Sequence, residues 1–143
     1  VSDEWYTPKH IFDALGLTFD LDVATPCNET IHTPHIRRYC PCQDGLSREW
    51  GGLVWMNPPY SKPGPWVEKW LDHGNGICLV PMSKSKWFYN LWNSEALIVN
   101  IQPNIKFDRP DGPPKQIFLG FILAALGDQA CQALVASNLG RVR

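Results

Sequence analysis

The stretch Leu53-Val54-Trp55-Met56-Asn57-Pro58-Pro59-Tyr60 runs from four apolar residues straight into a rigid polar turn. An apolar run without alternation reads as a strand buried on both faces. The two prolines cannot extend it, because each lacks a backbone N–H. A strand covered on both sides needs helices on both sides, so this stretch already points to an α/β layer fold.

The flanking sequence repeats that logic. Upstream, Thr7-Pro8 predicts a helix start, with Thr as N-cap and Pro in the first turn. Ile11, Phe12 and Leu15 share one face of that helix, and Gly16 supplies a stop. Phe19 to Ala24 reads as a strand in which Phe19, Leu21 and Val23 alternate with Asp20 and Asp22. Residues 25–50 read as irregular. Downstream, Trp66, Val67, Trp70 and Leu71 recur at helical spacing, and Gly74 and Gly76 close that segment. Ile77 to Met82 predicts a strand, Trp87 to Trp92 a helix and Leu97 to Ile101 a strand. A short strand at Asn104 to Phe107 leads into an exposed loop, Asp108 to Lys115, that holds three prolines. Ile117 to Ala125 predicts a long strand, and Asp128 caps a last helix with Ala130, Cys131, Leu134 and Val135 facing in. The expected sheet is mainly parallel with helices on both faces, and its ligands belong at the carboxyl ends of the strands.

Composition bounds the function. The chain has 143 residues, 44% hydrophobic and 19% charged, which excludes intrinsic disorder and suits one domain over residues 1–143. The longest apolar run, Ile117 to Leu126, is too short for a membrane span, and no secretory pattern opens the chain, so a cytoplasmic protein is expected. A net charge of −1 excludes a protein held to nucleic acid by bulk charge. Nothing calls for an oligomer, and a monomer suffices.

Asn57-Pro58-Pro59-Tyr60 carries the chemistry. The Asn57 amide oxygen is an acceptor, and the prolines hold the Pro58 carbonyl rigidly with no competing donor beside it. Two fixed acceptors suit an NH₂ group, and Tyr60 offers a flat face to the ring that bears it. An aromatic amino nitrogen is a weak nucleophile because its lone pair is delocalised. Holding both of its protons favours a tetrahedral nitrogen whose lone pair can attack an electrophilic methyl. This is positioning and electrostatic preorganisation. A base in duplex DNA must leave the stack to enter such a site.

The same string is the signature of amino-group methyltransferases that use S-adenosylmethionine, and the chain as a whole resembles the small phage-type DNA adenine methyltransferase (Dam) family. The resemblance is carried by Asp3-Glu4-Trp5-Tyr6-Thr7-Pro8, Phe19-Asp20-Leu21-Asp22-Val23-Ala24, Asp44-Gly45-Leu46 and Trp50. It continues through Val54 to Ser61, Pro65-Trp66-Val67, Leu79-Val80-Pro81, Trp87-Phe88 and Ile105-Lys106-Phe107. It implies a Rossmann-like methyltransferase fold in a minimal version without a separate target-recognition domain. It implies transfer of a methyl group from S-adenosylmethionine to adenine in DNA, with no metal required for the chemistry. Asn57, Pro58, Pro59 and Tyr60 would form the catalytic pocket. Thr7, Pro8, Asp22, Ala24 and Asp44 would border the methyl donor. Asp22 would accept from the donor's ammonium, and Asp44 would contact its adenine amino group. The turn Ala24-Thr25-Pro26 departs from the glycine-rich turn that many methyltransferases place after the first strand.

With so little net charge, DNA affinity must come from local patches, and Lys84, Lys86, Arg37 and Arg38 are the first candidates, followed by Lys62, Lys106, Arg109, Lys115, Arg141 and Arg143. Base recognition then falls to short loops, at residues 25–45 and 108–116. Cys27, His32, His35, Cys40 and Cys42 are weak candidates for a metal site, because their spacing matches no common zinc pattern. Two alternatives stay open: a methyltransferase acting on a protein glutamine amide, and a non-enzymatic binding module stabilised by zinc.

Overall fold

The computed structural model describes residues 6–26, 31–101, 106–109, 112–116 and 120–143, with backbone alone for 106–109 and 112–116. Strands β1 (Phe19–Asp22), β2 (His35–Arg38), β3 (Val54–Met56), β4 (Gly76–Pro81), β5 (Leu97–Asn100) and β8 (Phe121–Leu126) form a six-stranded sheet in the order β2-β1-β3-β4-β8-β5. The β2-β1, β1-β3 and β3-β4 pairs are parallel, and β8 runs antiparallel to both β4 and β5. The sheet is therefore mixed, with one strand reversed. Helices α1 (Lys9–Leu15), α2 (Gly64–His73), α3 (Lys86–Trp92) and α4 (Asp128–Ala136) cover it.

Two hydrophobic cores explain why β3 and β4 are apolar at every position. On one face Ile11, Phe12 and Leu15 of α1 and Ala130 and Leu134 of α4 pack against Trp55, Ile77, Leu79 and Leu123. On the other, Val67 and Trp70 of α2 and Leu91 of α3 pack against Val54, Met56, Cys78, Val80 and Ile122. Alternate residues of each strand thus serve opposite cores. The helix α2 ends where Gly74 takes up φ 73° and returns its N–H to the Trp70 carbonyl, a conformation that glycine adopts without strain.

Several expectations are corrected. Helix α1 begins at Lys9 with Pro8 at the cap position and no side-chain cap, so Thr7 is not its N-cap. The irregular stretch at 25–50 contains strand β2 and two single-turn 3₁₀ helices, Pro41–Gln43 and Gly45–Ser47. Strand β2 escaped notice because it is an edge strand whose His-Ile-Arg-Arg sequence stays largely exposed. Gly76 does not close α2 but opens β4. The loop expected at 108–115 belongs to a hairpin, β6 (Lys106–Arg109) with β7 (Gly112–Gln116). Pro113 and Pro114 fall where the register shifts, between the Phe107–Lys115 and Arg109–Gly112 pairs, and prolines in strands are found at such irregularities and on edges. Among the described residues between β5 and β8 there is this hairpin and no crossover helix, and β8 returns antiparallel. Residues 117–119 of the expected strand lie outside the described residues, as do Trp5 and Cys27. Gly127 rather than Asp128 occupies the cap of α4, and Val135 is 55% exposed instead of facing in. Trp92, at the end of α3, is 46% exposed and stacks on Phe88. Among the described residues no helix is long and apolar enough to cross a membrane.

Trp70 is fully buried in the core between α2 and the sheet. Trp70→Ala should cost about 3–5 kcal/mol of stability, read as a lower urea midpoint at unchanged slope.

Candidate active site

Parallel pairing brings separate segments to one edge of the sheet. Asp22 lies in register with Trp55, and Met56 with Cys78. The residues that follow β1, β2, β3 and β4 therefore emerge side by side, at the carboxyl ends where such sheets bind ligands. A cavity of about 320 Å³ opens there. It is lined by Thr7 from the segment before α1, Asp22 and Ala24 after β1, Cys40 and Asp44 after β2, and Asn57 and Pro59 after β3. Tyr6, Tyr39, Trp55 and Trp66 add aromatic surface. The size falls within the range of small-molecule pockets.

Asp22 departs from the expected alternation. It is only 3% exposed and faces the cavity instead of solvent. Burial pushes its carboxyl up to about 6, against the opposing pull of the Ala24 N–H, the Thr33 hydroxyl, His35 and Arg38. The Ala24 N–H donates to Oδ1 at 3.2 Å. Asp20, by contrast, points outward and accepts the Leu53 N–H at 2.8 Å, which ties β1 to the entry of β3.

The Asn57 side chain turns towards the segment before α1. Its Nδ2 donates to Thr7 Oγ1 at 3.3 Å. Tyr60 lies beside the same side chain, and burial pushes its phenol well above the usual range. The Tyr60 ring packs on Phe121 with centroids 5.5 Å apart. Pro58 is buried behind the wall, and Pro8, Pro58 and Tyr60 are not among the residues that line the cavity.

The wall from Cys40 to Trp50 is held by side chains that bind its backbone. Trp50 Nε1 donates to the Gly45 carbonyl at 2.8 Å, and Lys69 of α2 donates to the carbonyls of Leu46 (2.8 Å) and Arg48. The Lys69 ammonium also lies 5.0 Å from the Trp50 ring centroid, a cation–π contact. Gly45 packs so closely that a Cβ there would stand 2.1 Å from the Val23 carbonyl oxygen, so only glycine fits. Asp44 sits between the two 3₁₀ turns at φ 49°, exposed to solvent and on the cavity rim.

The remaining candidates scatter. Lys84 and Lys86 are exposed beyond the end of β4, on the same edge as Asn57. Arg37 and Arg38 are exposed along edge strand β2. His32 and Cys40 line the cavity, Cys42 Sγ lies 2.9 Å from Cys40 Sγ, and the His35 Nδ1 is paired with the Thr33 carbonyl. Among the described residues no three His, Cys, Asp or Glu side chains group as metal ligands, and Cys27 lies outside the described residues. Sequence reasoning missed Tyr6, Tyr39 and Trp66 as cavity residues. Trp66 shares its helical spacing with buried Trp70, yet it stacks on Trp50 (6.4 Å) at the cavity wall.

Residues 1–128 match the model of the family described as DNA N-6-adenine-methyltransferase (Dam). The chain is 31% identical over 118 residues to the DNA N-6-adenine-methyltransferase of Escherichia phage T1, covering 76% of this chain and 48% of the relative. It is 32% identical over 98 residues to the DNA N-6-adenine-methyltransferase of Haemophilus phage HP1, covering 60% of this chain and 54% of the relative. No solved structure matches. The chain belongs to the DNA N-6-adenine-methyltransferase (Dam) family. It spans about half the length of the curated relatives it matches.

The raised Asp22 carboxyl has a thermodynamic signature. Between the unfolded value near 3.8 and the folded value of about 6, the native state holds more protons than the unfolded state. Stability contributed by Asp22 therefore falls as pH rises through that window, by a total on the order of 3 kcal/mol. Thermal melts from pH 4 to 7 should show this decline in the wild type, and Asp22→Asn should remove it.

Proposed function

We propose that this chain transfers a methyl group from S-adenosylmethionine to the exocyclic amino group of adenine in DNA. The observation that carries the reading is that Asn57 and Asp22 open onto one cavity at the carboxyl edge of the sheet. The sheet order, with one reversed strand among six, supports a Rossmann-like methyltransferase fold, and residues 1–143 are read as one such domain.

The residues present fit the donor. Asp22 offers a buried carboxylate to an ammonium, Asp44 an acceptor to an amino group, and Trp55 and Trp66 flat apolar surface to a purine. Bound there, S-adenosylmethionine supplies an electrophilic methyl. Asn57 is the acceptor for the adenine NH₂, with Pro58 and Tyr60 beside it outside the cavity lining. The adenine nitrogen would form the new N–C bond as the methyl–sulfur bond breaks, S-adenosylhomocysteine would leave, and the proton lost from the nitrogen would pass to water. Because the base is turned out of the duplex, its unstacking cost is met by contacts in this pocket. Lys84 and Lys86 hold phosphate beside it, and Arg37 and Arg38 extend the basic surface. The substrate is adenine-containing DNA in the cytoplasm of a bacterial host.

Transfer of labelled methyl to unmethylated DNA tests the reading. Asn57→Ala should lower single-turnover transfer by about 10²–10³, the scale of one lost preorganised contact. Equal label on both proteins would defeat the mechanism, and label on glutamine-containing protein but not on DNA would defeat the substrate. A Lys84→Gln, Lys86→Gln variant should weaken DNA binding and flatten the dependence of log K on log salt by about 2 units if both lysines meet phosphate.

A further inference from the structure

Lys69 is a half-buried lysine on α2, and among the described residues no carboxylate pairs with it. Backbone meets its charge instead. Its Nζ donates to the Leu46 carbonyl at 2.8 Å and to the Arg48 carbonyl, and lies 5.0 Å from the centroid of the Trp50 ring. Those carbonyls stand at the end of the 3₁₀ turn Gly45–Ser47, where the turn itself supplies no partner. Ser47 lies between them, and its N–H and hydroxyl both donate to the Asp44 carbonyl at 3.0 Å. The ammonium therefore clamps both sides of the residue that holds Asp44.

Asp44 needs such support. Its φ of 49° is in the left-handed region, which a residue with a Cβ occupies at some cost. Asp44 and Gly45 line the cavity, whereas Lys69 does not. Trp66, one turn before Lys69 on α2, lines the cavity too and stacks on Trp50. One face of α2 thus grips the whole wall. We propose that Lys69 is a positioning residue for the methyl donor: from outside the cavity it fixes the Gly45–Ser47 turn so that Asp44 accepts from the donor's adenine amino group, and so it sets the preference for a 6-amino purine. This role rests on the reading of Asp44 under Proposed function.

Lys69→Met keeps an unbranched apolar stem and removes the ammonium. Titration with S-adenosylhomocysteine and with S-inosylhomocysteine separates the contact from general affinity, because the 6-oxo group of the second sets acceptor against acceptor at Asp44. Wild type should prefer the amino compound. In Lys69→Met its affinity should fall about tenfold, the scale of a charge-assisted hydrogen bond, and the preference should shrink with it. Affinity for duplex DNA and single-turnover transfer at saturating donor should stay within about twofold of wild type, well under that tenfold loss. Unchanged donor affinity, an unchanged preference, or an equal fall in transfer at saturating donor overturns the proposal. A wild type that binds both compounds equally defeats the reading of Asp44 instead. A wild type that prefers the amino compound but leaves adenine DNA unmethylated defeats only the substrate, and the two titrations still decide the role of Lys69. If thermal melts show Lys69→Met unfolded, Trp50→Phe, which keeps an aromatic ring and removes the Nε1–H bound to the Gly45 carbonyl, makes the same comparison on the same wall.

Discussion

The in-register parallel pairing of β1 with β3, Leu21 against Val54 and Asp22 against Trp55, is the constraint on which the site depends. It sets the end of one strand beside the end of the other, so Asp22 and Asn57 open onto one cavity although 35 positions separate them. A slip of one residue would turn every side chain of β1 to the opposite face. Asp22 would then leave the cavity, and Leu21 would leave its core. The Asp20 carboxylate, bound to the Leu53 N–H, pins the pairing just where β3 begins.

The site sits in tension with the fold that supports it. A carboxylate as buried as Asp22 is costly unless paired, and its neighbours only partly offset the burial. A cation held beside it would relieve that cost. The opposite wall is built differently. Around Asp44 the chain has no long helix or strand to stiffen it, and Trp50 and Lys69 hold its carbonyls instead.

Much of the architecture was legible because hydrophobic periodicity reports burial directly. The apolar runs at 53–56 and 77–82 had to be covered on both faces, and α1 and α2 showed their inner faces at helical spacing. Strand β2 was not legible, since an edge strand needs no apolar pattern to pair. The β6–β7 hairpin was hidden by its prolines, which argue against a central strand but not against a two-stranded ribbon. The site showed the same division. Asn57 to Tyr60 stood out because consecutive rigid residues have few structural uses, whereas Tyr6, Tyr39 and Trp66 resembled ordinary core aromatics.

The amino-acid order by itself determined the α/β layering, the rigid turn at Asn57 and the acidic end of the first strand, because each rests on residues close together in the chain. Only the tertiary structure decided that Asp22 is buried, that Thr7 meets Asn57 rather than capping α1, and that Tyr60 packs on Phe121. Those outcomes turn on strand register and on which face a side chain takes, and both are set by partners dozens of residues away.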